Sequence, residues 1–153
     1  RFVLPPPYAR IKGHDRGYIY FQEYIPGCSF DIRVVVVGDK AFAIKRIVRN
    51  NDFRASGSGL ILYEKEHFSD EIIRLSFHLA ENLKTQCVAF DFVYSSGKAV
   101  VLEVSYGFTM EGYDPCVGYW DKTMEWHAGR FDPYGWMVED LIKSVKSLAK
   151  NYT

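Results

Sequence analysis

Between Val88 and Tyr106 the sequence reads Val-Ala-Phe-Asp-Phe-Val-Tyr, then Ser-Ser-Gly, then Lys-Ala-Val-Val-Leu-Glu-Val-Ser-Tyr, and few folds are open to a chain carrying such a segment. It reads as a β-hairpin whose two faces separate by parity. Val88, Phe90, Phe92 and Tyr94 on the first strand, with Val100, Leu102, Val104 and Tyr106 on the second, form a large apolar set. The odd positions are smaller and carry Asp91, Glu103 and Ser105. Side chains alternate across a strand, and a one-residue slip reverses a whole strand, so a shared core demands a register that opposes equal parities. A three-residue loop, Ser95-Ser96-Gly97 with Gly97 left-handed, meets that demand and puts Asp91 close to diagonal from Glu103. Two carboxylates and a hydroxyl on one rigid face are oxygen ligands suited to a hard divalent cation such as magnesium. A solvated outer face with incidental acids is the other reading of the same pattern.

The 153 residues suit one domain with a sizeable core, and 48% hydrophobic with 25% charged is the balance of a globular protein. The formal charge is zero and no basic stripe is present, which argues against nucleic acid as the partner. No apolar run exceeds strand size, Val34 to Val37 being as long as any, so no membrane span is expected. Cys28, Cys87 and Cys116 are odd in number and lack metal-site spacing; they fit reduced thiols and a cytoplasmic setting. The start at Arg1 is expected of a fragment or processed product.

Residues 1–17, with Pro5-Pro6-Pro7, read as a connection from an upstream lobe, and 18–153 as the domain proper. Tyr18 to Ile25 is strand-like and stopped by Pro26-Gly27. Phe30 to Val37 and Ala41 to Val48 form a second hairpin about Gly38-Asp39, and Arg49 to Gly59 a flexible polar loop. Ser69 caps a helix running to about Lys84, with an apolar stripe of Ile72, Leu75 or Ser76, Leu79 and Leu83. Residues 107–132 form a long loop rich in Tyr and Trp, of a length that marks function in compact domains. Asp132-Pro133 opens a last helix through Met137, Val138, Leu141, Ile142, Val145 and Leu148. The class is α+β, an antiparallel sheet flanked by helices on one side.

Four blocks now stand in a telling order: Gln22-Glu23-Tyr24-Ile25; Phe30-Asp31-Ile32-Arg33 leading to Val37-Gly38-Asp39; Asp52-Phe53-Arg54; and Phe90-Asp91 paired with Leu102-Glu103-Val104-Ser105. In this the chain resembles the C-terminal lobe of the ATP-grasp superfamily, nearest the branch of the ribosomal-protein glutamate ligase (RimK) and glutathione synthetase. The resemblance implies that Glu23, Tyr24 and Ile25 form the hinge against adenine, that Asp31 contacts the nucleotide, and that Arg54 contacts phosphate and acyl-phosphate. It implies a metal set of Asp91, Glu103 and Ser105. Ser105 departs from the usual asparagine there, and Tyr106-Gly107-Phe108 replaces a usual Pro-Gly turn. Without the family, Tyr24 and Ile25 read as core and Asp31 with Arg33 as a surface ion pair; Lys45 and Arg46 are further cations for phosphate.

The implied cofactors are ATP and magnesium, or manganese in its stead. The implied activity is ATP-dependent carboxylate–amine ligation through an acyl-phosphate, on small-molecule or peptide substrates. ATP-grasp enzymes close a second lobe over the nucleotide, and nothing before Tyr18 supplies it. The chain is therefore expected to form half an active site, inactive in ligation alone and open to homo-oligomer formation. The alternative is a noncatalytic ATP-grasp-like binding or scaffold module.

Overall fold

Val34 to Val37 and Lys40 to Ile47 are joined by two residues only, and that turn sets the frame of the whole sheet. In the computed structural model, which describes residues 21–49, 55 and 59–150, Gly38 has φ +57 and Asp39 does not turn left-handed, the pattern of a type II′ turn. Strand β1 (Phe30–Val37) thereby meets β2 (Lys40–Ile47) with Val37 opposite Lys40 and Asp31 opposite Arg46. β3 (Ile61–Leu62) adds to β2. Then follow helix α1 (Asp70–Leu83), the hairpin β4 (Cys87–Ser95) and β5 (Lys98–Ser105), a short pair β6 (Gly118–Asp121) and β7 (Trp126–Ala128), and helix α2 (Pro133–Lys150). The seven strands form one antiparallel sheet in the order β5-β4-β1-β2-β6-β7, with β3 off this path on β2. The α+β class holds. Among the described residues no helix is long and apolar enough to cross a membrane.

The sheet is covered on both faces, not on one side as the sequence led us to expect. One face presents Ile32, Val34, Val36, Val88, Phe90 and Phe92 to α1, which packs down through Ile72, Ile73, Phe77 and Ala80. Ser69 caps α1 by accepting from the Ile72 amide at 3.4 Å, as expected. The buried stripe departs from the expected one at Leu83, which is exposed, and of the two alternatives it takes Ser76, fully buried with its hydroxyl donating to the Ile72 carbonyl at 2.7 Å. The other face presents Val35, Val37, Phe42, Ile44 and Ala89 to Met110, Tyr113 and Cys116, joined by Trp136 and Met137 of α2. Segment 107–132 is thus a packed lid with its own hairpin rather than a loop throughout. Phe42 sits edge-on to Tyr113 at 5.3 Å, and Phe131 stacks on Trp136 at 5.1 Å and 8°. Val138, Leu141, Ile142 and Val145 of α2 are exposed.

The β4–β5 hairpin corrects the expected register. The turn is the two-residue Ser96-Gly97, both with positive φ (51 and 77), a type I′ turn. It opposes unequal parities from Ser95↔Lys98 to Phe92↔Val101. A β-bulge then absorbs Leu102, and from Asp91↔Glu103 to Ala89↔Ser105 equal parities are opposed. The even residues of β5 are consequently not core. Val100, Leu102 and Val104 lie exposed on an edge strand, and Ala99 and Val101 pack inward in their place. The first expected strand is also absent over 21–25, which makes no ladder pairing; Tyr18 to Tyr20 lie outside the described residues.

Candidate functional site

On the α2 side of the sheet, one end is polar where the rest is apolar. β1 contributes Asp31 and Arg33, two residues apart and so on the same face. The β1–β2 register puts Arg46 opposite Asp31, the β1–β4 register puts Asp91 opposite Arg33, and the bulge puts Glu103 opposite Asp91. Opposite charges therefore face one another from β2 through β1 to β4, and the last step, from Asp91 to Glu103 on β5, sets two acids together. Arg33 grips Asp91 with two parallel bonds, Nε to Oδ1 at 2.5 Å and Nη2 to Oδ2 at 2.6 Å. Arg46 grips Asp31 in the same manner at 2.7 and 2.6 Å and extends Nη2 to Asp91 Oδ2 at 2.9 Å. Asp31, Arg46 and Asp91 are buried.

Two aspartates and two arginines cancel in charge, and their bidentate bonds offset the cost of removing four ions from water. The balance is uneven. Burial, the largest influence on Asp31, raises its pKa above the ordinary carboxylate value, although Arg46 pulls it down. For Arg46 burial opposes the charge, but the Asp31 hydrogen bond and the two aspartate charges outweigh it and raise the pKa. The bond to Asp91 raises that of Arg33. Burial raises the pKa of the Tyr113 phenol, which meets the Arg33 guanidinium from the lid.

Of the residues singled out from sequence, Asp31, Asp91 and Glu103 come together in this row. Ser105 joins through Glu103, donating its hydroxyl to Glu103 Oε1 at 2.8 Å. Glu23, Tyr24 and Ile25 lie next to the row, in a segment that shares a cavity with Val93 of β4 and Leu102 of β5. Tyr24 is 64% exposed, so it is not a core residue. Gln22 fastens this segment, its amide donating to the carbonyl of the bulged Leu102 at 2.9 Å. Arg54 lies outside the described residues. Arg33 does not form the expected surface pair with Asp31, because the two are on one strand and each finds its partner across a ladder. Lys45 points to the opposite face, its Nζ 3.9 Å over the Phe30 ring. The full pairing of Arg33 and Arg46 escaped the sequence reading. The two-residue turn at Gly38-Asp39 was the available signal, since it alone places residue 46 opposite 31.

Two adjoining cavities flank the row. One, about 170 Å³, is lined by Asp31, Arg33, Arg46, Asp91 and Glu103 among others. The second, about 390 Å³, lies under Gln22 to Ile25 and is mainly apolar. They share Cys28, Val93 and Leu102 as a common wall. A planar apolar group in the larger space and an anion in the smaller would be neighbours. Asp91 and Glu103 face one another across the ladder as hard oxygen donors, the type magnesium takes, and Glu103 is solvent-exposed and keeps one oxygen free of hydrogen bonds among the described residues. The donor set fits such a cation, with the Asp91 oxygens shared with two guanidinia.

A model of the family described as the RimK-like ATP-grasp domain matches residues 11–119, well over half the chain and all of the charged row. No curated protein matches the chain.

Proposed function

Because the chain belongs to the RimK-like ATP-grasp domain family, whose domains bind ATP, we propose that it forms the nucleotide- and magnesium-binding face of an ATP-dependent carboxylate–amine ligase working through an acyl-phosphate. The observation that supports this reading best is the pair of adjoining cavities, apolar under the 22–25 segment and charged at the row, in the order adenine then phosphates. Backbone groups of Glu23, Tyr24 and Ile25 would meet the adenine edge, and Asp31 the nucleotide. Magnesium, held by Asp91 and Glu103, would supply charge neutralisation at the phosphates and activation of the transferred group. Ser105 orients Glu103 through its hydroxyl. Arg33 and Arg46 present guanidinia that suit phosphate oxygens as well as they suit the carboxylates they now hold. Arg54 keeps the role the resemblance implies, at the transferring phosphoryl group. A second lobe closing over this face would complete the site.

Titration of the full chain with a nonhydrolysable ATP analogue, with and without magnesium, tests this. Magnesium-dependent binding, lost on Asp91→Asn, is expected. No binding in magnesium, or binding indifferent to Asp91→Asn, would refute the proposal. One observation favours a noncatalytic binding module instead: both Asp91 oxygens are already engaged by arginine. That reading gains if nucleotide binds equally well without the metal.

A further inference from the structure

The lid borders a third, open-mouthed space of about 410 Å³, within the range of small-ligand sites. Its lining is mixed: alongside polar groups, buried Met110, Tyr113, Cys116 and Pro133 and half-buried Phe131 supply apolar surface. They are held by packing, Tyr113 edge-on to Phe42 and Phe108, and Phe131 stacked on Trp136, so the cavity is preformed. Burial and the nearby Asp114 charge push the Cys116 thiol up to about 12. It is therefore a neutral wall, not a nucleophile, near pH 7.

Two charges stand at the rim of this space. Asp114 and Arg130 both line it, both are exposed, and neither makes a hydrogen bond or ion pair among the described residues. Every other charge that faces a cavity on this side of the sheet, apart from Glu23 and Glu103, is committed to an opposite partner. Arg130, Phe131 and Pro133 also lie beyond residue 119, where the family match ends, so the cavity is built in part from chain that the family does not describe.

We propose that this cavity binds a zwitterion with an apolar side chain, an α-amino acid or a short peptide. Arg130 takes the carboxylate, for which its planar fork is suited, and Asp114 takes the ammonium. The side chain lies among Met110, Phe131 and Tyr113. Tyr113 is the partition between this space and the charged row, its hydroxyl meeting Arg33 on the far side. The assignment stands on the cavity and its two uncommitted charges, independent of nucleotide binding.

The probes are phenylalanine and leucyl-phenylalanine, added to the full chain while the Met110 methyl is followed by NMR; the chain has three methionines to assign. A saturable shift with phenylalanine identifies a free amino acid, and one with the dipeptide only identifies a peptide. Phenylalaninamide and N-acetylphenylalanine each remove one charge and are expected to bind at least about tenfold more weakly, as are both probes to Arg130→Gln and Asp114→Asn. Both substitutions are at exposed rim positions, so the fold is retained. The proposal is overturned if neither probe gives a saturable shift, if the amide and the N-acetyl form bind as well as phenylalanine, or if both substitutions are silent. Nucleotide binding is measured on the same samples. Its loss with a retained Met110 shift counts against the nucleotide reading alone, and the converse against this one alone.

Discussion

Arg46→Leu is the perturbation that most directly tests the physics of the charged row. Arg46 alone, among the described residues, reaches both Asp31 and Asp91, and its side chain and that of Asp31 are each only 9% exposed. Removing it leaves Asp91 held by Arg33 but strips Asp31 of its hydrogen-bonded partner. Breaking a buried pair from one side costs about 3–5 kcal/mol. The cavity of about 170 Å³ beside the pair can admit water, which argues for the lower end. With a urea m-value of about 2 kcal/mol/M, a loss of about 3 kcal/mol lowers the unfolding midpoint by about 1.5 M. The pH dependence carries a sign. Burial already raises the Asp31 carboxyl, and losing Arg46 removes the main influence lowering it. A carboxyl with a higher pKa folded than unfolded takes up a proton on folding. Its contribution is favourable below its unfolded pKa and is lost as pH rises through the folded one. The deficit of the variant should thus shrink on going from about pH 7 to about pH 5. Asp31→Leu/Arg46→Leu should recover most of the loss, since an apolar pair replaces the stranded charge. Urea unfolding followed by tryptophan fluorescence reads all three. A deficit under about 0.5 kcal/mol, one that does not change with pH, or a double variant no better than the single would refute the reasoning.

Two further outcomes follow from local geometry. Burial pushes Cys87 up to about 11 and Cys116 to about 12, so at about pH 8 roughly one in a thousand and one in ten thousand are thiolate. Mass spectrometry after a short iodoacetamide pulse should find both unmodified in the native chain and modified in urea; rapid native labelling of either would contradict the packing. At Gly118 an added Cβ would lie 2.5 Å from both the His127 carbonyl and the Trp126 ring, one of them backbone that cannot give way. Gly118→Ala should therefore cost about 1–3 kcal/mol in thermal or urea unfolding, and a neutral result would mean that β6 and β7 do not pair as described.

The elements were legible in the sequence wherever one local rule decided them. The Gly38-Asp39 turn, the Ser69 cap and the Asp132-Pro133 helix start each act within a few residues. In the last, Asp132 Oδ1 accepts from the Gly135 amide at 3.0 Å. Elements set by competition were less legible. The buried stripe of α1 takes Ser76 over Leu75 because the Ser76 hydroxyl is satisfied within the helix, and it runs on through Phe77 and Ala80 rather than to Leu83, a choice that apolar spacing alone does not decide. β6 and β7 are four and three residues long, too short for a period to show. The turn between them is closed by the Asp121 carboxylate, which accepts from the Thr123 and Glu125 amides and pairs with His127.

The row itself shows why a site can be half visible. Asp31, Asp91 and Glu103 stood out as acids on apolar strands, but the partners of the two aspartates lie across ladders, 15 residues from Asp31 for Arg46 and 58 from Asp91 for Arg33. Pairing depends on register, and register here rests on two turns and one bulge. A core shared by the even residues of both strands calls for a three-residue loop, which would also put Asp91 and Glu103 on one face. The chain does not build that shared core, yet it brings the two acids to one face by another route: a type I′ turn, favoured by strand twist, followed by the bulge at Leu102. That route does more than a longer loop would. It sets Glu103 directly opposite Asp91, leaves the apolar even residues of β5 on an open edge, and turns the Leu102 carbonyl to Gln22, fastening the 22–25 segment beside the charged row. A deletion of Leu102 should accordingly disturb both cavities at once, whereas lengthening the Ser96-Gly97 turn should leave the row between Asp91 and Glu103 in place.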